Sequence, residues 1–423
     1  MPAPTADQPM FPLRTVVFGA LVPAFVFSAG LGAALPVIAP FAVEQGASLA
    51  AAGLIAAMLP VGQILADLPA GALASALGDR AALLLAGSLA ALAFLWAALS
   101  PSLITLGAAI LLVGAANAVF HLARHSYLTT VTPASQRARV LSTLGGVHRI
   151  GQFVGPFAGA LVTLSGDTRA VFLVALAASA AATVTVLLAK PRPQTSPVED
   201  DGSAEHAPAG GKKSPKKGPS LLSILVEHRR MFWTLGMVAL LVGGIRGARQ
   251  QVIPLWGEHI GLDPTTISLI FGLAGGIDML LFYPAGRVMD RFGRLWLGIP
   301  AMIALGLAMA LIPLTGTAVS LSVIGVLLGF ANGLGSGIMM TISSDVSPAE
   351  GRPQFLGIWR LLTDVGMGAG PLILSAGAAL GSLAAGIWAT SCFGPLASWG
   401  MQRWLPRYSD HANRTTRRRA GLL

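Results

Sequence analysis

The chain has 423 residues, of which 54% are hydrophobic and only 11% charged, with a mean hydropathy of +0.71. Soluble domains carry about 25% charged residues, so this chain cannot cover a water-facing surface, and the disordered, collagenous and disulfide-rich classes are excluded with it. The net charge of +10, from 28 Lys and Arg against 18 Asp and Glu, would point to nucleic acid in a soluble protein, while the single cysteine, Cys392, leaves no partner for an intrachain disulfide.

Apolar stretches of the roughly 20 residues that a bilayer crossing needs recur along almost the whole chain. They are expected near 13–36, 50–73, 81–100, 103–131, 138–164, 169–190, 230–256, 264–286, 294–314, 317–345, 354–380 and 382–405. The first dozen residues, with Pro2, Pro4 and Pro9, lack the basic start and cleavage site of a signal peptide, so the first span is read as retained. The organisation expected is an all-α membrane protein: an N-terminal six-helix bundle over 1–190, a flexible linker over 191–228, a C-terminal six-helix bundle over 229–405 and a basic tail over 406–423. Alternate connections hold Arg80, Arg137, Arg139, Arg192, Lys212, Lys213, Lys216, Lys217, Arg287, Arg291 and Arg352, whereas the opposite connections show only Arg169. That bias predicts both termini and the linker in the cytoplasm, with the cell (inner) membrane as the location. Residues 190–230 hold 8 bases against 5 acids and residues 403–419 hold 6 against 1, so +8 of the +10 lies in the expected linker and tail, and no nucleic-acid partner is implied.

An internal repeat organises the spans. Shifted by 215 residues, Pro69, Ala70 and Gly71 meet Pro284, Ala285 and Gly286, and Gly78 meets Gly293. Asn117 meets Asn332, Pro133 and Arg137 meet Pro348 and Arg352, and Gly151, Gly155 and Pro156 meet Gly366, Gly370 and Pro371. One register holding across these landmarks predicts two parallel repeats of six helices with a cleft between them.

The segment Gly286-Arg287-Val288-Met289-Asp290-Arg291-Phe292-Gly293-Arg294 resembles the signature loop of the major facilitator superfamily, particularly its bacterial drug/proton antiporters. The first-half copy, from Gly71 to Arg80, is degraded, with Ser75 and Ala76 where an acid and a base are expected. The resemblance covers about residues 13–405 and implies 12 transmembrane helices in two pseudo-symmetric six-helix bundles. It also implies that Asp290 latches near Arg137 and Arg139 when one side of the protein closes. Gly151-x3-Gly155-Pro156 resembles the family's antiporter signature; its physical reading is close helix packing and a proline bend, repeated at Gly370-Pro371.

Charges inside a bilayer cost about 2.5–3.5 kcal/mol each on insertion scales and are therefore paired or functional. Asp67, Arg149, Arg246, Asp278, Arg360 and Asp364 all fall well inside expected spans. The family's helix neighbours combined with sign matching suggest Arg149 with Asp278 and Asp67 with Arg360, as proton-coupling groups or as plain ties between the halves. The family's cleft-lining helices, carried over, offer Phe25, Asn117, His121, Arg124, Arg246, Arg249, Gln250, Asn332 and Met339. Bases outnumber acids in that set, which favours a substrate with an anionic group, and the apolar remainder suits an amphiphile.

His121 and His125 have the spacing of a metal site but no acidic third ligand nearby, and no phosphate-binding loop occurs. Neither a metal, a cofactor nor an enzymatic activity is expected. The expected function is secondary transport by alternating access, driven by protons and exporting a small amphiphilic or anionic compound, with the lipid bilayer as surroundings and a monomer as working unit. The alternatives are an organic-anion uptake symporter and, from another class, a membrane receptor or lipid-handling scaffold.

Overall fold

A computed structural model describes residues 16–132, 134–189, 221–348 and 350–421. Twelve long helical crossings run through them: α1 (Val17–Glu44), α2 (Leu49–Leu77), α3 (Asp79–Ala98), α4 (Leu103–Val131), α5 (Ala134–Thr163), α6 (Arg169–Leu188), α7 (Arg229–His259), α8 (Pro264–Phe292), α9 (Arg294–Leu311), α10 (Ala318–Val346), α11 (Arg352–Ala379) and α12 (Leu383–Ser391 with Phe393–Tyr408). No strand occurs among the described residues. Ten of the helices are apolar and long enough to cross a membrane on composition alone. The other two are α5, which carries His148, Arg149 and Gln152 in its middle, and α12, which breaks at Cys392. Large apolar side chains such as Leu161, Leu188 and Trp233 are more than two-thirds exposed. Such a surface is stable only against lipid, and helices are the element that satisfies its own backbone there.

The two halves share their punctuation as well as their landmarks. Ser48 caps α2 by accepting from the Ala51 amide, and Asp263, 215 residues on, caps α8 by accepting from Thr266. Ser102 with Thr105 forms a capping box at the start of α4, and their repeat mates Thr317 with Ser320 form the same box on α10. Gly78 and Gly293 turn α2 into α3 and α8 into α9 at φ of +80° and +101°, a conformation that only glycine adopts without strain. Across the halves, α2 packs on α11 and α5 on α8.

One face of the bundle is tied shut. On the side of the α1–α2 and α7–α8 connections, Ser375 donates to the Ala50 carbonyl at 2.6 Å and the Thr163 and Thr265 hydroxyls meet at 3.0 Å. There a Cβ on Gly53, Gly272 or Gly276 would press into the other half. Toward the face that carries both described chain ends, a Cβ on Gly145, Gly146, Gly286 or Gly357 would meet nothing within 4 Å. The cleft therefore opens on the face of the chain ends.

Two differences from the sequence expectation concern the charged segments. The stretch expected to be linker lies outside the described residues as far as 220, but Leu221–Glu227 is helical and rests on α11. The residues expected to form a basic tail are helical in part: α12 continues to Tyr408 and a short helix forms at Arg414–Arg419. This segment lies on the α8–α9 turn, where the Arg294 and Leu295 amides donate to the His411 and Ala412 carbonyls. Arg417 donates to the Arg291 carbonyl at 2.6 Å. The reason is local: Gly293 has no side chain, and a Cβ there would collide with Ala412 and Asn413. Deleting residues 409–423 is expected to lower the melting temperature in detergent by several degrees, from about 2–3 kcal/mol of lost hydrogen bonding. An unchanged melting curve would show that the docking contributes no stability.

Candidate functional site: a charged cleft between the halves

Two cavities lie between the bundles and share Leu35, Gln152 and Gln250 as a common wall. The larger, about 260 Å³, is bounded by α1, α2, α4, α5, α7 and α11 and presents Asp67, Arg360, Asp364, His121, His148 and Asn117. The smaller, about 70 Å³, presents Arg149, Arg249 and Asp278 beside Phe153, Phe271 and Met279. Repeat mates recur in the lining: Leu35 with Gln250 and Gln152 with Met367 in the larger cavity, and Gln63 with Asp278 and Asp364 with Arg149 divided between the larger and the smaller. The cleft is thus built from equivalent positions of the two halves that carry different chemistry.

Asp278 is the centre of the smaller cavity. Only 8% exposed, it receives Asn332 Nδ2 at 2.7 Å and Arg249 Nη2 at 3.3 Å on Oδ2, and Arg149 Nη1 lies 3.8 Å from Oδ1. Arg149 comes from the other half, so this group spans the interface. Arg149 also donates to Ser336 Oγ at 2.7 Å, and Arg246 donates to the Gly335 carbonyl at 2.5 Å. Both acceptors sit where α10 is interrupted between Leu334 and Ile338, with Gly337 at φ +79°. The break leaves helix-end carbonyls, of which Arg246 satisfies that of Gly335 while Arg149 holds the Ser336 hydroxyl beside it, which is how irregular backbone survives inside a membrane.

In the larger cavity Arg360 bridges two acids, Nη2 to Asp67 Oδ1 at 3.4 Å and Nε to Asp364 Oδ2 at 3.3 Å. Its side chain is 59% exposed, as befits a group about 12 Å in from the start of α11 in an open cleft. A polar chain crosses the N-terminal half behind this wall. Ser28 Oγ meets His148 Nδ1 at 2.5 Å, the His148 and His121 rings lie edge to face at 4.6 Å, and Arg124 Nη2 lies 3.0 Å from the His121 ring nitrogens. Arg124 is 2% exposed, and its Nε and Nη1 have no hydrogen-bond partner among the described residues.

Of the residues that the sequence reading placed on the cleft, Asn117, His121, Arg249 and Gln250 line a cavity. Arg124, Arg246 and Asn332 stand one layer behind and act on it through His121, the α10 break and Asp278. Met339 is a correction: it follows the α10 break, lines neither cavity and is 5% exposed within the hydrophobic core, packed away from the cleft by its apolar side chain. Phe25 lines neither cavity. His148, Gln63, Gln152 and Ser336 were missed as cleft groups, although the 215-residue shift already pairs Ser336 with His121 and Gln63 with Asp278.

The signature segment lies at the end of α8. Arg287 donates to Tyr283 OH at 2.9 Å and covers its ring, and Arg291 lies over Phe292. Arg294 binds Asp345 through Nε at 2.9 Å and Nη2 at 3.5 Å, a partner the sequence reading did not name. A Cβ on Gly71 would meet Leu122 alone among the described residues, at 3.8 Å. The side chains of Asp290, Arg137 and Arg139 lie outside the described residues, and with them the expected latch. A Cβ on Gly151 or Gly155 would strike the Phe25 or Ala29 carbonyl of α1, and Pro156 borders Gly272 of α8. Gly370 approaches Gly244 of α7 in the same way, and Pro371 is buried. Among the described residues no three His, Cys, Asp or Glu side chains converge as a metal site.

Twelve crossings in two repeated bundles, with ionisable groups from both halves meeting in a central cleft open on one face, have the architecture of a membrane transporter. The sequence profile of the Major Facilitator Superfamily matches residues 20–371, with a second match over 250–420, and the chain belongs to that family. It is 25% identical over 268 residues to the uncharacterized MFS-type transporter YfkF of Bacillus subtilis (strain 168), a match spanning 62% of this chain and 63% of that protein. Its fold is similar to the nucleoside transporter NupG, with a TM-score of 0.69 at 14% identity over 93% of this chain and 99% of that one. A bacterial homolog of the human lysosomal transporter Spinster, inward-facing and occupied, gives 0.71 at 15% over 95% and 98%. The D-xylose-proton symporter gives 0.64 at 15% over 94% and 98%.

Proposed function

We propose that this transporter is driven by protons and exports a small amphiphilic or anionic compound, as a monomer in the cell (inner) membrane with both chain ends in the cytoplasm. The observation that carries the coupling is Asp278, held by Arg249 of its own half and by Arg149 of the other. The charged and polar groups around it come from every element it touches: Arg246 and Arg249 on α7, Arg149 on α5 and Asn332 on α10. A rocking motion separates α5 from α8 and withdraws one guanidinium. A carboxylate stripped of a cationic partner in a low-dielectric cleft takes up a proton and releases it when the partner returns. The glycine–proline segments of α5 and α11 support the export direction, and the Lys and Arg of the loops support the orientation. The cleft would then face the cytoplasm, as in the inward-facing Spinster homolog.

Uptake of an organic anion with protons is the second reading, favoured by the same geometry. An anion that takes Arg149 and Arg249 displaces Asp278 and promotes its protonation, so anion and proton bind cooperatively. Export by exchange requires instead that substrate and proton compete for one acidic group, as an amphiphile seated at Asp278 or Asp364 would. The sign is directly measurable with purified protein in weak buffer: export by exchange predicts proton release when substrate is added, and symport predicts proton uptake. In proteoliposomes with an imposed proton gradient, absence of any substrate-linked proton movement across a screen of organic anions and lipophilic compounds would remove the coupling.

A further inference from the structure

The two cavities differ in charge, and they are adjacent, with three lining residues in common. In the larger, two carboxylates share one guanidinium, leaving one negative charge among the described residues. In the smaller, Arg149 and Arg249 face the single carboxylate Asp278, leaving one positive charge, and Arg246 adds a second from the layer behind. Nε of Arg246, Nε of Arg249 and Oδ1 of Asp278 are buried with no hydrogen-bond partner among the described residues. Unsatisfied charged groups inside a membrane are costly and are held in place where a ligand completes them. Between the two clusters the shared wall is uncharged, made of Leu35, Gln152 and Gln250. Arg124 lies behind His121, faces neither cavity directly and adds to the positive excess.

We infer that the cleft takes a zwitterion: a small molecule with an amine held by Asp67 and Asp364 and an acidic group, carboxylate or phosphate, held by Arg149 and Arg249. The acidic group lies against the Arg149 and Arg249 guanidiniums beside Asp278, in the fork geometry that arginine offers to carboxylates and phosphates. The amine partly replaces Arg360 between the two carboxylates. Asn117 and the glutamines hydrogen-bond the polar middle of the ligand, and Leu35 contacts its carbon chain. A ligand with one charge satisfies one cluster and leaves the other as it was. This assignment rests on the transport reading above and names the substrate class for it.

The test uses the full-length protein in lipid nanodiscs and titrates ω-amino carboxylates and ω-aminoalkyl phosphates of three to eight carbons, each against the matching alkyl acid and alkylamine. At least one zwitterion is expected to bind about tenfold or more tightly than both singly charged homologues, and the better of the two series identifies the acidic group. Arg249→Gln is expected to weaken the zwitterion and the alkyl acid but not the alkylamine. Asp364→Asn is expected to weaken the zwitterion and the alkylamine but not the alkyl acid, a crossed pattern that general loss of folding cannot produce. Equal binding of zwitterion and homologues, or no binding across the whole series, overturns the assignment. Counterflow in proteoliposomes separates the two claims. A zwitterion that binds with the crossed pattern but is not carried refutes transport of that class and leaves the binding site standing. Gradient-driven transport of singly charged compounds, unaffected by either substitution, refutes the zwitterion site and leaves transport standing.

Discussion

Asp278→Asn is expected to abolish gradient-driven accumulation while leaving substrate exchange intact. An amide keeps the size of the side chain and can accept from Arg249 and Asn332, the partners at 3.3 and 2.7 Å, so the cleft need not collapse. It cannot take up or release a proton. One pH unit is worth about 1.4 kcal/mol per coupled proton, so wild-type protein at equilibrium builds about a tenfold concentration ratio for each unit of imposed gradient and each coupled proton. The variant is expected to build none, with a ratio of one at any gradient. Counterflow, in which labelled substrate enters against unlabelled substrate at equal pH, is expected to persist. A variant that still concentrates substrate in response to pH would transfer the coupling role to the Asp67–Arg360–Asp364 group. The analogous Asp364→Asn change would then be the one to remove accumulation.

Asp278 stands out in the sequence because an acid in an apolar stretch has few physical excuses, and Arg149 stands out for the same reason. Their opposite signs, together with the helix neighbours that the resemblance to the family implies, suggested the pairing, as they did for Asp67 and Arg360. The twelve crossings were legible because lipid imposes a length and a composition on each, and the repeat was legible because both halves solve the same packing problem with the same glycines and caps. What escaped was polar chemistry without charge. Gln152, Gln63 and Ser336 have no composition signature, since a glutamine or serine in a membrane helix is common and its direction depends on where the helix bends. The break in α10 escaped because Gly335-Ser336-Gly337 looks like ordinary small-residue helix, and only the contacts of Arg246 with the Gly335 carbonyl and of Arg149 with the Ser336 hydroxyl mark it. Met339 was misplaced for the same reason. The docking of residues 411–417 was hidden by their charge, because a basic tail reads as solvated unless a specific backbone partner is known.

Gly370→Val is expected to prevent folding of the C-terminal half. A Cβ at Gly370 would lie 2.2 Å from the Gly244 carbonyl oxygen and 2.5 Å from the Ala248 amide nitrogen. Neighbouring positions repeat the conflict, with Gly366 at 2.1 Å from the Leu240 oxygen and Gly247 at 2.0 Å from the Met367 oxygen. These are backbone atoms, so no rotamer change relieves the overlap; α7 and α11 would have to separate along the whole seam. The cost is about 3 kcal/mol or more, the upper part of the range for overpacking, and it falls on an association that in lipid relies on close packing rather than on the hydrophobic effect. The expected readout is loss of the monodisperse peak in size-exclusion chromatography and of a cooperative melting transition. Gly286→Ala, in the signature segment, serves as control because a Cβ there meets nothing within 4 Å in this conformation. Its melting temperature is expected to match wild type, while any effect on transport would report contacts made only after the cleft closes. A Gly370→Val variant that keeps both the peak and the melting temperature would mean that α7 and α11 do not approach this closely. It would also remove the packing account of the Gly-x3-Gly-Pro segments in both halves.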